Sequence, residues 1–224
     1  MFSLQTLIGL AIGAWMAFLG VHAQCLQNAG YLGAYDATTG AFVGAISKNL
    51  NAGGFTLDTS GVTSNYLAVA VFSTVCNNGG PLWIEILSPD DPVAGYVSLV
   101  CGSTLCNECA FIGSNDPFVA IVAGDGNPLG PFPTPGFTQN TFGGGYGDLH
   151  TDCGENQVWV LGSAVTFGRQ VLVPSWRDPS GTLNLNLIVL LDETNNGLVV
   201  AANATVYSVQ RSATVRQLQL TVFI

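Results

Sequence analysis

V-R-Q-L-Q-L-T-V-F-I, residues 215–224, is the stretch whose reading decides the fold. Leu218, Leu220, Val222 and Ile224 alternate with Gln217, Gln219, Thr221 and Phe223. A period of two belongs to a strand with one face on a core and the other toward water. The segment Thr182 to Leu191 repeats the pattern, with Leu183, Leu185, Leu187, Val189 and Leu191 on one face and Asn184 and Asn186 between them. Both read as half-buried antiparallel strands.

Outward from these two segments the chain is strand-like almost throughout. Tyr31 to Asp36 and Ala41 to Ser47 flank A-T-T-G, where Gly40 can take the positive φ that a short bulged hairpin requires. Tyr66 to Val75, Pro81 to Leu87, Gly95 to Cys101 and Phe118 to Ala123 are short β-branched or aromatic runs bounded by Gly, Pro, Asn and Asp. Gln157 to Leu161, Ala164 to Phe167, Gln170 to Val173, Leu198 to Ala202 and Thr205 to Val209 continue the series, and Asn196-Gly197 marks a further hairpin turn. No convincing 3.6-residue stripe follows the first 23 residues, so helices are expected to be few and short. The expected class is all-β: an antiparallel β-sandwich, or two packed β modules, stabilised by disulfides.

The expected organisation is a signal peptide at 1–23, an N-terminal β module at 24–123 and a C-terminal β module at 157–224 that can share one sandwich with it. Between the modules, 124–156 is rich in Gly and Pro (G-D-G-N-P-L-G-P-F-P-T-P-G, then F-G-G-G-Y-G-D-L-H-T-D-C-G) and reads as a linker or functional loop. The signal-peptide reading rests on the uncharged apolar run Leu7 to Val21, which closes on Val21-His22-Ala23. That run is short for a membrane span, and no span is expected after cleavage.

Compartment then decides the cysteines. The spacing Cys101-x4-Cys106-x2-Cys109, with Cys153 as a fourth member, matches the ligand spacing of plant-type ferredoxins. Secretion points the other way: Cys25, Cys76, Cys101, Cys106, Cys109 and Cys153 are an even set in an oxidising environment and are expected to form disulfides. Six cysteines allow about fifteen pairings, which spacing does not distinguish. No metal and no cofactor is expected.

The charge balance excludes further classes. Only 8% of residues are charged, five are basic against fourteen acidic, and the net charge is -9. Nucleic acid and anionic membranes need clustered Lys and Arg, so neither is an expected partner. An apolar fraction of 48% spread along the chain also excludes disorder.

Candidate chemistry is sparse. After signal cleavage His150 is the only histidine, without a G-x-S-x-G elbow to serve, and an exposed loop position is expected. Glu85 in L-W-I-E-I-L is the carboxylate with the most apolar neighbours, but alternation turns Leu82, Ile84 and Ile86 inward and Glu85 outward. The aromatic residues Phe132, Phe137, Phe142 and Tyr146 of the Gly/Pro-rich segment, with Trp176 in W-R-D-P-S-G, form the candidate ligand-binding set. They either stack on a sugar or fold back to cap the sandwich. Asn203-Ala204-Thr205 is the glycosylation sequon.

The run G-Y-L-G-A-Y-D-A-T-T-G-A-F-V-G-A-I-S, together with S-W-R-D-P-S-G through V-R-Q-L-Q-L-T-V-F-I, resembles a group of uncharacterised secreted β-rich proteins from mushroom-forming fungi. That group shares an opening hairpin on D-x-T-T-G and a closing segment with Trp before an acidic turn. It has no established activity, so the resemblance implies a secreted β-rich fold and transfers no catalytic residue.

The expected function is a secreted, non-catalytic binding or cell-surface and matrix protein, interacting with an extracellular glycan or a cell-surface protein. The alternatives are a glycan-cleaving hydrolase using paired carboxylates such as Glu85 and a turn Asp, and a purely structural extracellular coat protein.

Overall fold

The computed structural model describes residues 25–73, 80–87, 94–101, 118–125, 136–155, 158–166, 169–177, 183–184 and 187–224, with backbone alone at 136–138, 151–153, 155, 163–166, 169, 177 and 183–184. The signal-peptide segment, Phe132, Cys76, Cys106 and Cys109 lie outside the described residues, as do the side chains of Phe137 and Cys153.

The fold is all-β. Its strands are β1 (Cys25–Asp36), β2 (Phe42–Asn51), β3 (Gly54–Asp58), β4 (Ala68–Ser73), β5 (Leu82–Ile86), β6 (Tyr96–Cys101), β7 (Val119–Gly124) and β8 (Gly136–Gly145). The series continues with β9 (Asp148–Glu155), β10 (Trp159–Thr166), β11 (Arg169–Pro174), β12 (Trp176–Arg177), β13 (Leu183–Asn184), β14 (Ile188–Asp192), β15 (Gly197–Ala201) and β16 (Val215–Phe223). Fourteen of them form one antiparallel hydrogen-bonded network, and β12 and β13 pair separately.

The closing strand is the hub. β16 pairs with β1 from Tyr31↔Phe223 to Asp36↔Leu218, with β14 from Val189↔Leu218 to Asp192↔Val215, and with β11 at Leu172↔Leu220. The pairings close on themselves: β1, β2, β3, β7, β15, β14, β16 and back to β1. One core draws on both halves of the chain, from Leu32, Ile46 and Ile84 to Val189, Leu191, Leu218 and Leu220. The alternation read from residues 187–191 and 218–220 is therefore the alternation of the core.

The second face of β14 departs from the half-buried expectation. Leu190 is fully buried beneath the helix α1 (Ala204–Arg211), in a smaller core with Phe118, Val199 and Tyr207. This helix replaces the strand expected at Thr205 to Val209. Three local features hold it: Asn203 caps it, Oδ1 accepting from Thr205 N at 2.9 Å and Val206 N at 3.2 Å; Ser212 ends it in the left-handed region at φ 52; and Tyr207 sets its ring edge-on against Phe118 at 5.3 Å. Replacing Asn203 by Ala is expected to destabilise the protein by about 1 kcal/mol, a drop in Tm of about 2–4 °C for a chain of this size. Calorimetry measures it, and an unchanged Tm would contradict the capping role.

The opening hairpin is as expected. Asp36 Oδ1 accepts from Thr38 N, Thr39 N and Thr39 Oγ1 at 2.9, 2.7 and 3.0 Å, and Gly40 takes φ 72. The hydrogen bonds from Thr39, backbone first, hold the Asp36 carboxyl below the usual carboxylate range.

The connector expected across 124–156 needs correction. Residues 136–145 and 148–155 form a hairpin, β8–β9, whose strands also pair with β7 at Gly124↔Asn140 and with β6 at Leu99↔Glu155. Polar, Gly-rich residues pair here because β6 and β7 offer them backbone partners, and Phe142 covers Val100, Ala120 and Val122 on the outer face of those strands. β7 is consequently buried along its whole length. Cys25 and Cys101 are both disulfide-bonded, and no described cysteine is a free thiol.

Candidate ligand-binding site

Alternation along β1 sends Leu32 and Ala34 into the core and leaves Tyr31, Gly33 and Tyr35 on the other face. Opposite them on β16 stands Phe223. Its ring lies across Gly33, where an added Cβ would sit 2.8 Å from the ring Cδ1. Tyr31, Tyr66 and Phe223 meet pairwise, with centroids 5.8, 5.9 and 6.2 Å apart, and Phe42 extends the band from Phe223 at 5.8 Å to Tyr35 at 5.1 Å. Tilted and edge-on contacts of this kind suit the aromatic quadrupole.

Tyr66 is held at the end of a pinned loop. Asp58 Oδ1 accepts from Ser60 N and Ser60 Oγ at 2.7 and 2.5 Å, and its Oδ2 accepts from Asn65 Nδ2 at 3.1 Å. These hydrogen bonds, the one from the Ser60 hydroxyl foremost, hold the Asp58 carboxyl below its ordinary value. A single 3-10 turn, Thr63–Asn65, then delivers the chain to Tyr66 and to the buried Leu67, whose N–H donates to Ile46 O at 2.8 Å.

A cavity of about 280 Å3 opens beside this junction. Its rings are Tyr31, Tyr66 and Tyr146; Leu67 and Ile86 lie in its wall, with Leu87 and Ala68. Thr63, Ser64 and Lys48 are the other polar residues of the described lining. Lys48 arrives through a break in the β2–β3 register between Ile46 and Leu50, and Ser47 bridges to Tyr66 beside it. Tyr146 comes from the turn between β8 and β9. The hydroxyls of Tyr31, Tyr66, Thr63 and Ser64 form no hydrogen bond among the described residues.

No family model, curated protein or solved structure matches the chain.

Of the expected aromatic set, one member described with its side chain reaches the cavity: Tyr146. Phe142 packs on the β6–β7 face instead. Trp176 is 0% exposed, inside the main core, with Nε1 lacking a hydrogen-bond partner among the described residues. Ser175 explains its position, since Ser175 N and Oγ both donate to Val158 O, at 2.6 and 3.0 Å, and draw the chain inward. Trp176 cannot serve as a stacking platform, which corrects the sequence expectation. Phe137 stands opposite Cys153 on the β8–β9 ladder.

Glu85 is outward, as expected, with Leu82, Ile84 and Ile86 in the core. It faces Tyr96 across β5–β6, and burial of that phenol, with the Glu85 charge second, raises the Tyr96 pKa. Among the described residues neither Glu85 nor any other carboxylate lines the cavity. His150 lies on β9 rather than in a loop, with Nε2 4.0 Å from Asp148 Oδ2 and both side chains well exposed. Among the described residues no three His, Cys, Asp or Glu side chains are grouped to hold a metal ion.

The residues missed from the sequence are Tyr31, Tyr66, Lys48, Thr63 and Ser64. A partial signal was present in Tyr31-x-Gly33-x-Tyr35, where rings flank a glycine on one strand face.

Proposed function

We propose that this chain is a secreted, non-catalytic binding protein whose Tyr31–Tyr66–Tyr146 cavity takes carbohydrate. The observation that carries the reading is a concave site where three tyrosines stand beside the hydroxyls of Thr63 and Ser64, which form no hydrogen bond among the described residues. Sugar rings present C–H faces that pack on aromatic rings and hydroxyls that need convergent polar partners. At about 280 Å3 the cavity lies near the lower end of small-molecule sites, a size suited to the terminal residue of a chain. Glycoside hydrolysis needs two carboxyl groups across the scissile bond, whereas the polar lining among the described residues is hydroxyl-bearing residues and Lys48. On the same reading a glycan on Asn203 would use Nδ2, leaving Oδ1 to cap α1.

The test is a panel of soluble oligosaccharides and insoluble polysaccharides, with retention and new reducing ends measured together. Retention without new ends is expected. Tyr146→Ala is expected to weaken binding about tenfold, equivalent to about 1.4 kcal/mol. A melting curve on the variant checks that it remains folded. Release of reducing ends that is abolished by Glu85→Gln would overturn the non-catalytic reading.

A further inference from the structure

Resting on the carbohydrate reading, we infer that the cavity selects acidic sugars, with Lys48 as the group that binds a uronic acid carboxylate. Lys48 is the only lysine in the chain. The three cations whose side chains are described have different surroundings. Arg216 is paired with Glu193 at 2.6 Å, and Arg211 lies 4.3 Å from the centroid of the Phe118 ring. Lys48 has neither an ion pair nor a ring partner among the described residues, and it lines the cavity.

Among the described residues the lining contains no carboxylate to neutralise it. An ammonium is a compact point charge with three rotatable donors, and its hydrogen bonds to a carboxylate are charge-assisted. The neighbouring hydroxyls of Thr63, Ser64, Tyr31 and Tyr66 suit the uncharged remainder of a sugar ring. The net charge of -9 opposes a polyanion at long range. At physiological salt that opposition is screened beyond about 8 Å, while a contact ion pair persists. Short acidic oligosaccharides are therefore the class that this site favours.

The experiment compares oligogalacturonates, their methyl esters and neutral or sulfated galactose oligomers by calorimetry on the full mature protein at physiological salt. Methyl esterification removes the charge and keeps the ring. The free acids are expected to bind at least about tenfold more tightly than the esters, Lys48→Arg to retain that preference and Lys48→Gln to lose it. Equal binding of acid and ester, or binding of neutral sugars alone, would overturn the acidic selectivity and leave the carbohydrate reading standing. Binding confined to the sulfated oligomers would overturn the uronate assignment. Binding of no sugar in this set or in the wider panel would overturn both readings.

Discussion

Gly53→Ala is expected to destabilise the protein by about 4 kcal/mol, lowering Tm by about 8–16 °C, whereas Gly61→Ala should cost only about 1–2 kcal/mol. Both glycines take φ +79. The conformational penalty of a side chain in the left-handed region is thus the same at the two positions. They differ in what surrounds them. A Cβ on Gly61 meets nothing within 4 Å, while one on Gly53 would run into the carbonyl oxygen of Thr141, a backbone atom that no rotamer change can move.

The contact is tight because the β2–β3 turn is docked on β8. Thr141 Oγ1 donates to Gly53 O at 2.6 Å and accepts from Ala123 N at 3.2 Å, and Gly143 N donates to Ala52 O at 3.1 Å. Admitting a methyl group would push β8 off β7 and uncover Val122 beneath Phe142. Thermal melts of the two variants side by side decide the matter. Equal losses would mean that the turn is not pressed against β8.

How much of this was legible follows from where each determinant resides. The core register was legible because it is local: Leu218 and Leu220, and Val189 and Leu191, face inward as their spacing demands. The D-A-T-T-G and N-G turns were legible because their backbone requirements are carried by single residues, and Gly40 and Asn196 do take positive φ. By contrast, A-T-V-Y-S-V-Q-R carries Thr205, Val206 and Val209, β-branched residues that favour strand. What makes it a helix is outside it, in the Asn203 cap and in the docking of Tyr207 on Phe118 and Asp192. The site was hidden for the same reason: Tyr31, Lys48, Tyr66 and Tyr146 come from four separate elements, brought together by long-range pairing that periodicity cannot reveal. Trp176 misled because W-R-D-P-S-G has the composition of an exposed turn, and only the tether of Ser175 to Val158 places it in the core.

Asp192→Ala is expected to cost about 2–4 kcal/mol at neutral pH, and the loss should shrink on acidification. Asp192 is only 2% exposed at the end of β14. Its Oδ1 accepts from Thr194 N and Asn195 N at 3.0 and 3.1 Å, and its Oδ2 from Asn195 Nδ2 and Tyr207 Oη at 3.0 and 2.9 Å. One carboxylate therefore closes the β14–β15 turn and anchors α1. Burial acts to raise its pKa, but the hydrogen bonds from Asn195 and Tyr207 and from the Thr194 amide outweigh it, and the net shift is downward. A carboxyl depressed in the folded state contributes stability above its unfolded value, about 3.9, and that contribution is lost as pH falls through the folded value. Tyr207 runs in the opposite sense. Burial and the Asp192 carboxylate raise its pKa, so its contribution is whole below about 10 and is lost as pH rises beyond that. Denaturation curves between pH 2 and pH 7, about two units below the unfolded value to about three above it, should show wild type and Asp192→Asn converging below about pH 4. A gap that stayed constant over that range would mean that the Asp192 charge is not what holds the turn to the helix. In a double-mutant cycle, Asp192→Ala and Tyr207→Phe should couple by about 0.5–3 kcal/mol, since each change alone breaks the Tyr207–Asp192 hydrogen bond. Strict additivity would place the anchoring of α1 in Phe118 and Leu190 packing alone.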